Sequence, residues 1–385
     1  MNSIKQFSLL QGLFFSAWAA FAAFKVYYLR EAGFTNTEIG FAVSVMMAMG
    51  VIGQTFWGYV CDRQQSVKKV FMFCMALLAL IILFFPYYDT VLKLVAALGA
   101  VGFLWMPQQS IIDSWIFDSS RALGRSYGFM RAWGSLGFAT VALVFGGLIS
   151  VFGWNLMFVS HGVLAAAAIW TAYGLEDTYR SKAEAEGTSG IPRKVNPLEL
   201  FANVDYVFLL AASILLFIPN RLAIQYMPEM LRVVGGTPAH QGVGMFVNAV
   251  SEVPILFTSK VFLTRFPSLT LLLFASFFFT IRLVGLYFAA TPNMVIAAGV
   301  FQGLSFGVFL PTIRSYINDV APDHLKTSAQ SIATASFFGL STVLGSFLGG
   351  YAIDTFGMPR TLLVGSVLSA TAMMAVAVQF ARRRR

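Results

Sequence analysis

Four charged residues stand inside long apolar stretches of this chain at spacings that let them work in twos: Asp113 with Arg131, and Glu252 with Arg282. The turn between the fourth and fifth apolar runs centres near Ala122, nine residues after Asp113 and nine before Arg131. The turn between the eighth and ninth centres on Pro267, with Glu252 fifteen residues before it and Arg282 fifteen after. In a helical hairpin, residues equidistant from the turn lie at similar depth. At a rise of 1.5 Å per residue, Glu252 and Arg282 would sit roughly 15–20 Å in, near the middle of a bilayer. A carboxylate and a guanidinium at matched depth can close a hairpin as a structural ion pair. They can also line a wet cavity, bind a polar solute and handle a proton. The second use has a specific chemistry. A neighbouring Arg lowers a carboxylate's pKa and desolvation raises it, so withdrawing the Arg favours proton uptake. Buried ion pairs are weak stabilisers, and the cavity reading is therefore preferred.

Two further cations belong to the same census. Arg221 lies beside Asn220 and four residues before Gln225, which favours a cavity position. Lys25 is close enough to the end of its run to snorkel. With the two pairs they make four cations against two anions, a surplus that suits a solute bearing a carboxylate. Arg314 reads as a helix-end charge with Asp319 nearby, and His161 as a hydrogen-bonded packing residue.

The elements that must position these groups follow from composition. The 385 residues are 58% apolar, 15% aromatic and 11% charged, with a mean hydropathy of +0.74. Soluble domains carry about 25% charged residues. Too few ionic groups exist to cover a water-exposed globule, so a soluble enzyme is excluded and the surplus apolar surface must face lipid. Runs of roughly 20 apolar residues, the length that crosses a bilayer core, start near Phe7, Glu38, Lys69, Val91, Tyr127 and Trp154, then near Asp205, Gln241, Ser268, Asn293, Thr327 and Pro359. The expectation is an all-α membrane protein with twelve transmembrane helices. Strands of a barrel would alternate inward and outward residues, and these runs do not. The first run continues to Leu29 with no soluble domain after it, so it reads as a retained span rather than a cleaved signal peptide.

Orientation follows the distribution of Lys and Arg. With a cytoplasmic N-terminus, the inner loops and tails hold 17 of the 26 and the outer loops four: Arg30, Lys93, Arg232 and Arg360. Both termini are therefore expected inside. The final Arg382 to Arg385 then anchors to lipid headgroups, which accounts for much of the +9 net charge without nucleic acid. Cys61 and Cys74 read as free thiols. No Gly-x4-Gly-Lys-Ser/Thr and no His-Glu-x-x-His occurs, so the parts for ATP-driven pumping and zinc hydrolysis are lacking. No cofactor and no metal is expected.

One long polar stretch, 176–204, divides the chain into a six-helix bundle over 1–175 and a second over 205–385, and it reads as a cytoplasmic linker. The halves echo each other. Leu29-Arg30-Glu-Ala-Gly33-Phe-Thr35 recurs as Leu231-Arg232-Val-Val-Gly235-Gly-Thr237, 202 residues later, and Arg63 meets Arg265 at the same offset. Parallel six-helix repeats are an architecture of alternating-access transporters, whose solute site lies near the midplane between the repeats.

Over nearly its whole length the chain resembles the major facilitator superfamily. Gly58-Tyr-Val-Cys-Asp62-Arg63, with Lys68-Lys69 after it, is similar to that superfamily's cytoplasmic signature, although Gln65 stands where a glycine is expected. The resemblance implies a conformational latch at Gly58, Asp62 and Arg63. Within the superfamily the chain resembles the branch of lactose, nucleoside and phenylpropionate permeases. Tyr127-Gly128-Phe-Met-Arg131-Ala-Trp133-Gly134-Ser135-Leu-Gly137-Phe138 looks like that branch's fifth-span motif, Ser251-Glu252-Val-Pro254 its eighth-span Glu motif, and Thr280-Ile-Arg282-Leu-Val-Gly285 its ninth-span Arg motif. The resemblance implies solute binding at Asp113 and Arg131, and proton coupling and gating at Glu252 and Arg282. Arg221, Asn220 and Gln302 are further solute-binding candidates. The tenth-span His and Glu of the lactose permease would fall at Gln302 and Ser305, neither of which carries a proton, so Glu252 or Asp113 must do that work. The fifth span lacks the Gly-Pro signature of drug:proton antiporters. The reading that follows is import of a sugar, nucleoside or aromatic acid by proton symport, with proton-driven efflux on the same fold as the alternative. The expected partners are the solute, protons and membrane lipid, and the expected form is a monomer in the cytoplasmic membrane.

Overall fold

A computed structural model describes residues 3–123, 127–177, 197–322 and 325–384. Most of the linker expected at 176–204 therefore lies outside the described residues. Helices account for nearly all of the rest, and no strand occurs among the described residues. Among the described residues, ten helices are long and apolar enough to cross a membrane: α1 (Ile4–Glu31), α2 (Asn36–Gln64), α4 (Val91–Ile116), α5 (Met130–Phe152), α6 (Asn155–Tyr173), α7 (Val204–Gln225), α9 (Ser268–Tyr287), α10 (Pro292–Val320), α11 (Ser328–Phe356) and α12 (Met358–Arg382). An eleventh span, α8, is a pair, Pro238–Phe257 and Ser259–Arg265, bent by 54°. The twelfth, α3 (Val67–Leu83), has 17 residues, about 26 Å of helix, and is uniformly apolar after its two lysines. The expected twelve spans are thus present in order, six before the polar stretch and six after it.

Large apolar side chains such as Val51, Phe73, Val151, Trp170 and Phe257 are exposed along these helices. Water would not tolerate so continuous an apolar coat, and lipid does. This is a multi-pass membrane protein.

The chain divides into two compact units, Met1–Phe34 with Phe41–Ser189, and Thr35–Gly40 with Gly190–Arg385. In the first, α1 packs along α5 and α6, and α3 along α4 and α6. Its core is aromatic: Phe14, Phe21, Phe71, Phe85, Trp115 and Phe158 are fully or almost fully buried. Lipid supplies no hydrophobic drive for helix association, so close backbone approach at small residues must substitute for it. A Cβ on Gly102 would strike the Met46 carbonyl, and one on Gly53 the Phe103 carbonyl, which fixes α2 against α4.

In the second unit α7 packs on α11 and α12, α9 on α12 and α10, and α8 on α10. Phe217 of α7 centres an aromatic cluster, with Phe309, Phe337 and Phe279 at 4.8, 5.1 and 5.7 Å between ring centroids. This unit also takes in Thr35–Gly40, the start of α2. Asp354, near the end of α11, caps that start. Its Oδ1 accepts from the Asn36 amide and side chain at 3.2 and 2.8 Å, and its Oδ2 from the Thr37 amide and hydroxyl, both at 2.6 Å. A carboxylate there satisfies N–H groups that no helical partner can reach.

The sequence repeat has a structural basis. Gly33 and Gly235 both adopt left-handed backbone, at φ +95° and +77°. In each unit the residue after the glycine donates back to a leucine five residues earlier, Phe34 to Leu29 at 3.1 Å and Gly236 to Leu231 at 2.7 Å. That is a glycine-dependent helix stop, and it explains why the spacing of Leu, Arg and Gly recurs.

Candidate functional site

In the first unit Asp113 of α4 and Arg131 of α5 form an ion pair, Nε to Oδ1 at 3.3 Å, with side chains 30% and 26% exposed. Gln11 of α1 joins them, donating its Nε2 to the same Oδ1 at 3.1 Å. Three helices therefore meet on one carboxylate. The approach is set by small residues: a Cβ on Gly137 would come within 2.6 Å of the Gly12 carbonyl, and one on Gly134 within 2.7 Å of the Phe15 ring. The Arg131 guanidinium lies 4.2 Å from the centre of that Phe15 ring. Beside this group Trp105 stacks on Phe14 (4.6 Å, 15° between planes) and on Trp18 (3.9 Å, 9°). Partial exposure makes the ion pair a weak stabiliser. It leaves acceptors and donors side by side against flat aromatic surface, an arrangement suited to a solute with hydroxyls and a ring face.

The second unit holds a deeper network. Arg282 of α9 is buried, and its Nη1 donates to Asn220 Oδ1 of α7 at 2.8 Å and to Gln302 Oε1 of α10. Gln302 Nε2 donates in turn to Glu252 Oε1 of α8 at 2.9 Å. Arg282 Nη2 lies 3.5 Å from Asn248 Oδ1. Glu252 and Arg282 are within electrostatic reach of each other, yet the contact between them runs through the Gln302 amide rather than through a direct ion pair. Past Glu252, α8 is bent by 54° at Thr258. There the Pro254 carbonyl accepts from the Thr258 amide and hydroxyl at 3.1 and 2.9 Å, while Pro254, having no N–H, leaves the Val250 carbonyl without its usual helical donor.

Small residues again hold the geometry. A Cβ on Gly303 would collide with the Ser251 carbonyl, and the Gly303 amide donates to Ser251 Oγ at 3.0 Å. Residues 251 and 252 thus lie against 302 and 303, which is what brings Gln302 to Glu252. The following turn of α10, Gly303–Gly307, is π-helical, a distortion that often marks functional positions. Arg221 of α7 stands next to this network, its guanidinium 4.6 Å from the Phe338 ring and 5.5 Å from the Phe217 ring.

Of the sequence-derived candidates, Asp113 and Arg131 come together in one unit, and Asn220, Glu252, Arg282 and Gln302 in the other, with Arg221 adjacent. The residues implied as a latch are at the far end of α2 in the first unit. Asp62 and Arg63 are exposed at the end of α2, and a Cβ on Gly58 would meet open space. Further contacts join that turn to the end of α6. Asp177 accepts from the Ser66 hydroxyl and from the Val67 amide at 3.3 Å, and Lys68 Nζ donates to the carbonyls of Tyr173 and Leu175, both at 2.7 Å. Sequence reasoning passed over Gln11, Asn248, the Trp18–Trp105 stack and Asp177. The usable signal was Ser66, an N-cap residue ahead of an apolar run.

His161 is fully buried with Nδ1 2.7 Å from the Ala17 carbonyl, so that nitrogen carries its hydrogen. Lys25 is buried where α1 restarts, its Nζ 3.4 Å from the Ala22 carbonyl. Arg314 is exposed. Cys61 and Cys74 are free and buried, and the described residues contain no cluster of three or more His, Cys, Asp or Glu able to hold a metal ion.

A family model, the MFS_1-like family, matches residues 5–364. The chain belongs to this family, within the major facilitator superfamily. It is 27% identical over 380 residues to the maltose permease of Geobacillus stearothermophilus, covering 97% of this chain and 93% of that one. It is 23% identical over 366 residues to the putative nucleoside transporter YegT of Escherichia coli K12, covering 92% and 85%. In fold it is similar to the nucleoside transporter NupG (TM-score 0.79, 17% identity, 99% of each chain) and to a D-xylose-proton symporter (TM-score 0.70, 15% identity, 97% of this chain and 96% of that one). The protein is a secondary transporter of small solutes, not an enzyme.

Proposed function

We propose that this transporter imports a small organic solute, of the sugar, nucleoside or aromatic-acid kind, by proton symport with alternating access. The observation that carries the proposal is the chain Glu252–Gln302–Arg282–Asn220, in which the half-buried Glu252 carboxylate is tied by a neutral buried amide to a buried cation. An intramembrane carboxylate is expensive unless paired or put to use. The Gln302 amide lets Glu252 take or lose a proton while Arg282 keeps its partners on α7 and α10. Asp113, Arg131 and Gln11 supply the solute's hydrogen bonds. The names of the relatives support sugars and nucleosides as the class of cargo. In this reading Arg221, Asn220 and Gln302 also face the solute, and Gly58, Asp62 and Arg63 act in the conformational change. The two six-helix halves are 1–175 and 205–385, with 176–204 as a cytoplasmic linker. The protein works as a monomer in the cytoplasmic membrane with both termini inside.

The test is uptake into proteoliposomes of the purified chain, screened over sugars, nucleosides and aromatic acids with and without an inward proton gradient. The expected result is accumulation of one solute above its external concentration only when the gradient is imposed, together with alkalinisation of the medium on solute addition. Uptake that only equilibrates, indifferent to the gradient, would remove proton coupling. Accumulation driven by an outward gradient of protons would instead identify an exchanger.

A further inference from the structure

The second unit carries a set of unmade hydrogen bonds that the proton network does not use. Four buried side-chain N–H donors lack an acceptor: Asn220 Nδ2, Arg221 Nε and Gln225 Nε2 on α7, and Nε of Arg282, whose Nη1 already holds Asn220. Arg221 and Gln225 are four residues apart and share a face of α7. All four groups donate, so what they lack is an acceptor. Buried donors left unpaired are costly, and they are rare enough in native proteins that each needs an explanation.

The charges point the same way. Near the centre of this unit stand two guanidiniums, Arg221 and Arg282, and one carboxylate, Glu252, which interacts electrostatically with both. Arg282 is linked to Glu252 through Gln302. Arg221 has no carboxylate within ion-pairing distance among the described residues. Its contacts are the faces of Phe338 and Phe217, which favour a cation and contribute no anion. The unit is therefore one negative charge short, at a place already lined by two aromatic rings.

On the basis of the transport reading above, we infer that the solute is a monoanionic organic acid, its carboxylate seated on Arg221 with Asn220 and Gln225 as flanking donors and its ring or apolar body against the half-buried Phe338. A carboxylate fits the planar two-pronged guanidinium, and a single negative charge completes the balance where a phosphate dianion would exceed it.

The test compares matched acids and alcohols on the purified, full-length protein: 3-phenylpropionate with 3-phenylpropanol, benzoate with benzyl alcohol, and glucuronate with glucose. Binding is read by equilibrium dialysis and thermal shift, and transport in proteoliposomes. In wild-type protein the acid should bind at least about tenfold tighter than its neutral partner in one or more pairs, the range of a hydrogen bond to a charged group. Arg221→Gln should abolish that advantage, and Arg221→Lys, which keeps the charge and loses the fork, should retain part of it. The acid-to-neutral ratio is taken within each variant, so partial loss of folded protein does not shift it. Neutral partners binding as tightly as the acids in every pair, or an acid advantage untouched in Arg221→Gln, would overturn the inference. Uptake of neutral solutes with no preference for acids would overturn it while leaving the transport reading in place. Failure of every acid and every alcohol to bind or be taken up would overturn the inference, and the same failure extended to the sugars and nucleosides of the uptake screen would overturn the transport reading as well.

Discussion

Glu252→Gln is expected to abolish proton-driven accumulation while leaving exchange of internal for external solute intact. The substituted amide keeps an oxygen where Glu252 Oε1 accepts from Gln302 Nε2 at 2.9 Å, so the packing of α8 on α10 survives. What it removes is the group that changes protonation state. With one proton per solute and a pH step of about one unit, coupling sustains roughly a tenfold concentration ratio, which should fall to one. Exchange needs no net proton movement and should continue. Flux measured in both modes on the same proteoliposomes checks this. Unchanged accumulation would take Glu252 out of the coupling step, and loss of both modes would make its role structural.

Gly303→Val should cost more than any change to an exposed position, because the new Cβ lands on the Ser251 carbonyl and 2.6 Å from that residue's carbonyl carbon. Backbone does not yield as a flexible side chain does, so α8 and α10 must separate. Overpacking of this kind costs about 1–3 kcal/mol or more. The separation also pulls Gln302 from Glu252, so uptake should fall together with thermal stability. Gly339→Ala is the control: its Cβ would meet open space, and exchanging a helical glycine for alanine favours the helix by roughly 0.5–1 kcal/mol. A Gly303→Val protein with wild-type melting temperature and uptake would show that the α8–α10 seam does not position the site.

Much of this was legible in the amino-acid order because lipid imposes strong rules. Run length and loop charge gave twelve spans, and the recurrence of Gly33 and Gly235 marked equivalent helix stops whose left-handed backbone a glycine accommodates without strain. Intramembrane charge marked Asp113, Arg131, Glu252 and Arg282. The connection between the last two was not legible. It depends on Gln302, a neutral residue whose importance lies in offering an acceptor to Arg282 and a donor to Glu252 at once. Gln11 was missed for the same reason: an amide in an apolar run carries no signature until its partner is known. Asp177 and Asp354 act as helix caps supplied from distant parts of the chain, and a cap that is not local leaves no spacing to read.

The central claim, that charged residues deep in the spans are reached by water rather than by lipid, can be measured without knowing the solute. In a background with Cys61 and Cys74 replaced by alanine, Asp113, Glu252 and Val163, exposed midway along α6, would each be changed to cysteine and treated in membranes with a charged, membrane-impermeant thiosulfonate. Asp113→Cys and Glu252→Cys are expected to be modified while Val163→Cys is modified only by a lipid-soluble maleimide. Cysteines at 113 and 252 that resist the charged reagent and behave like the one at 163 would contradict the claim.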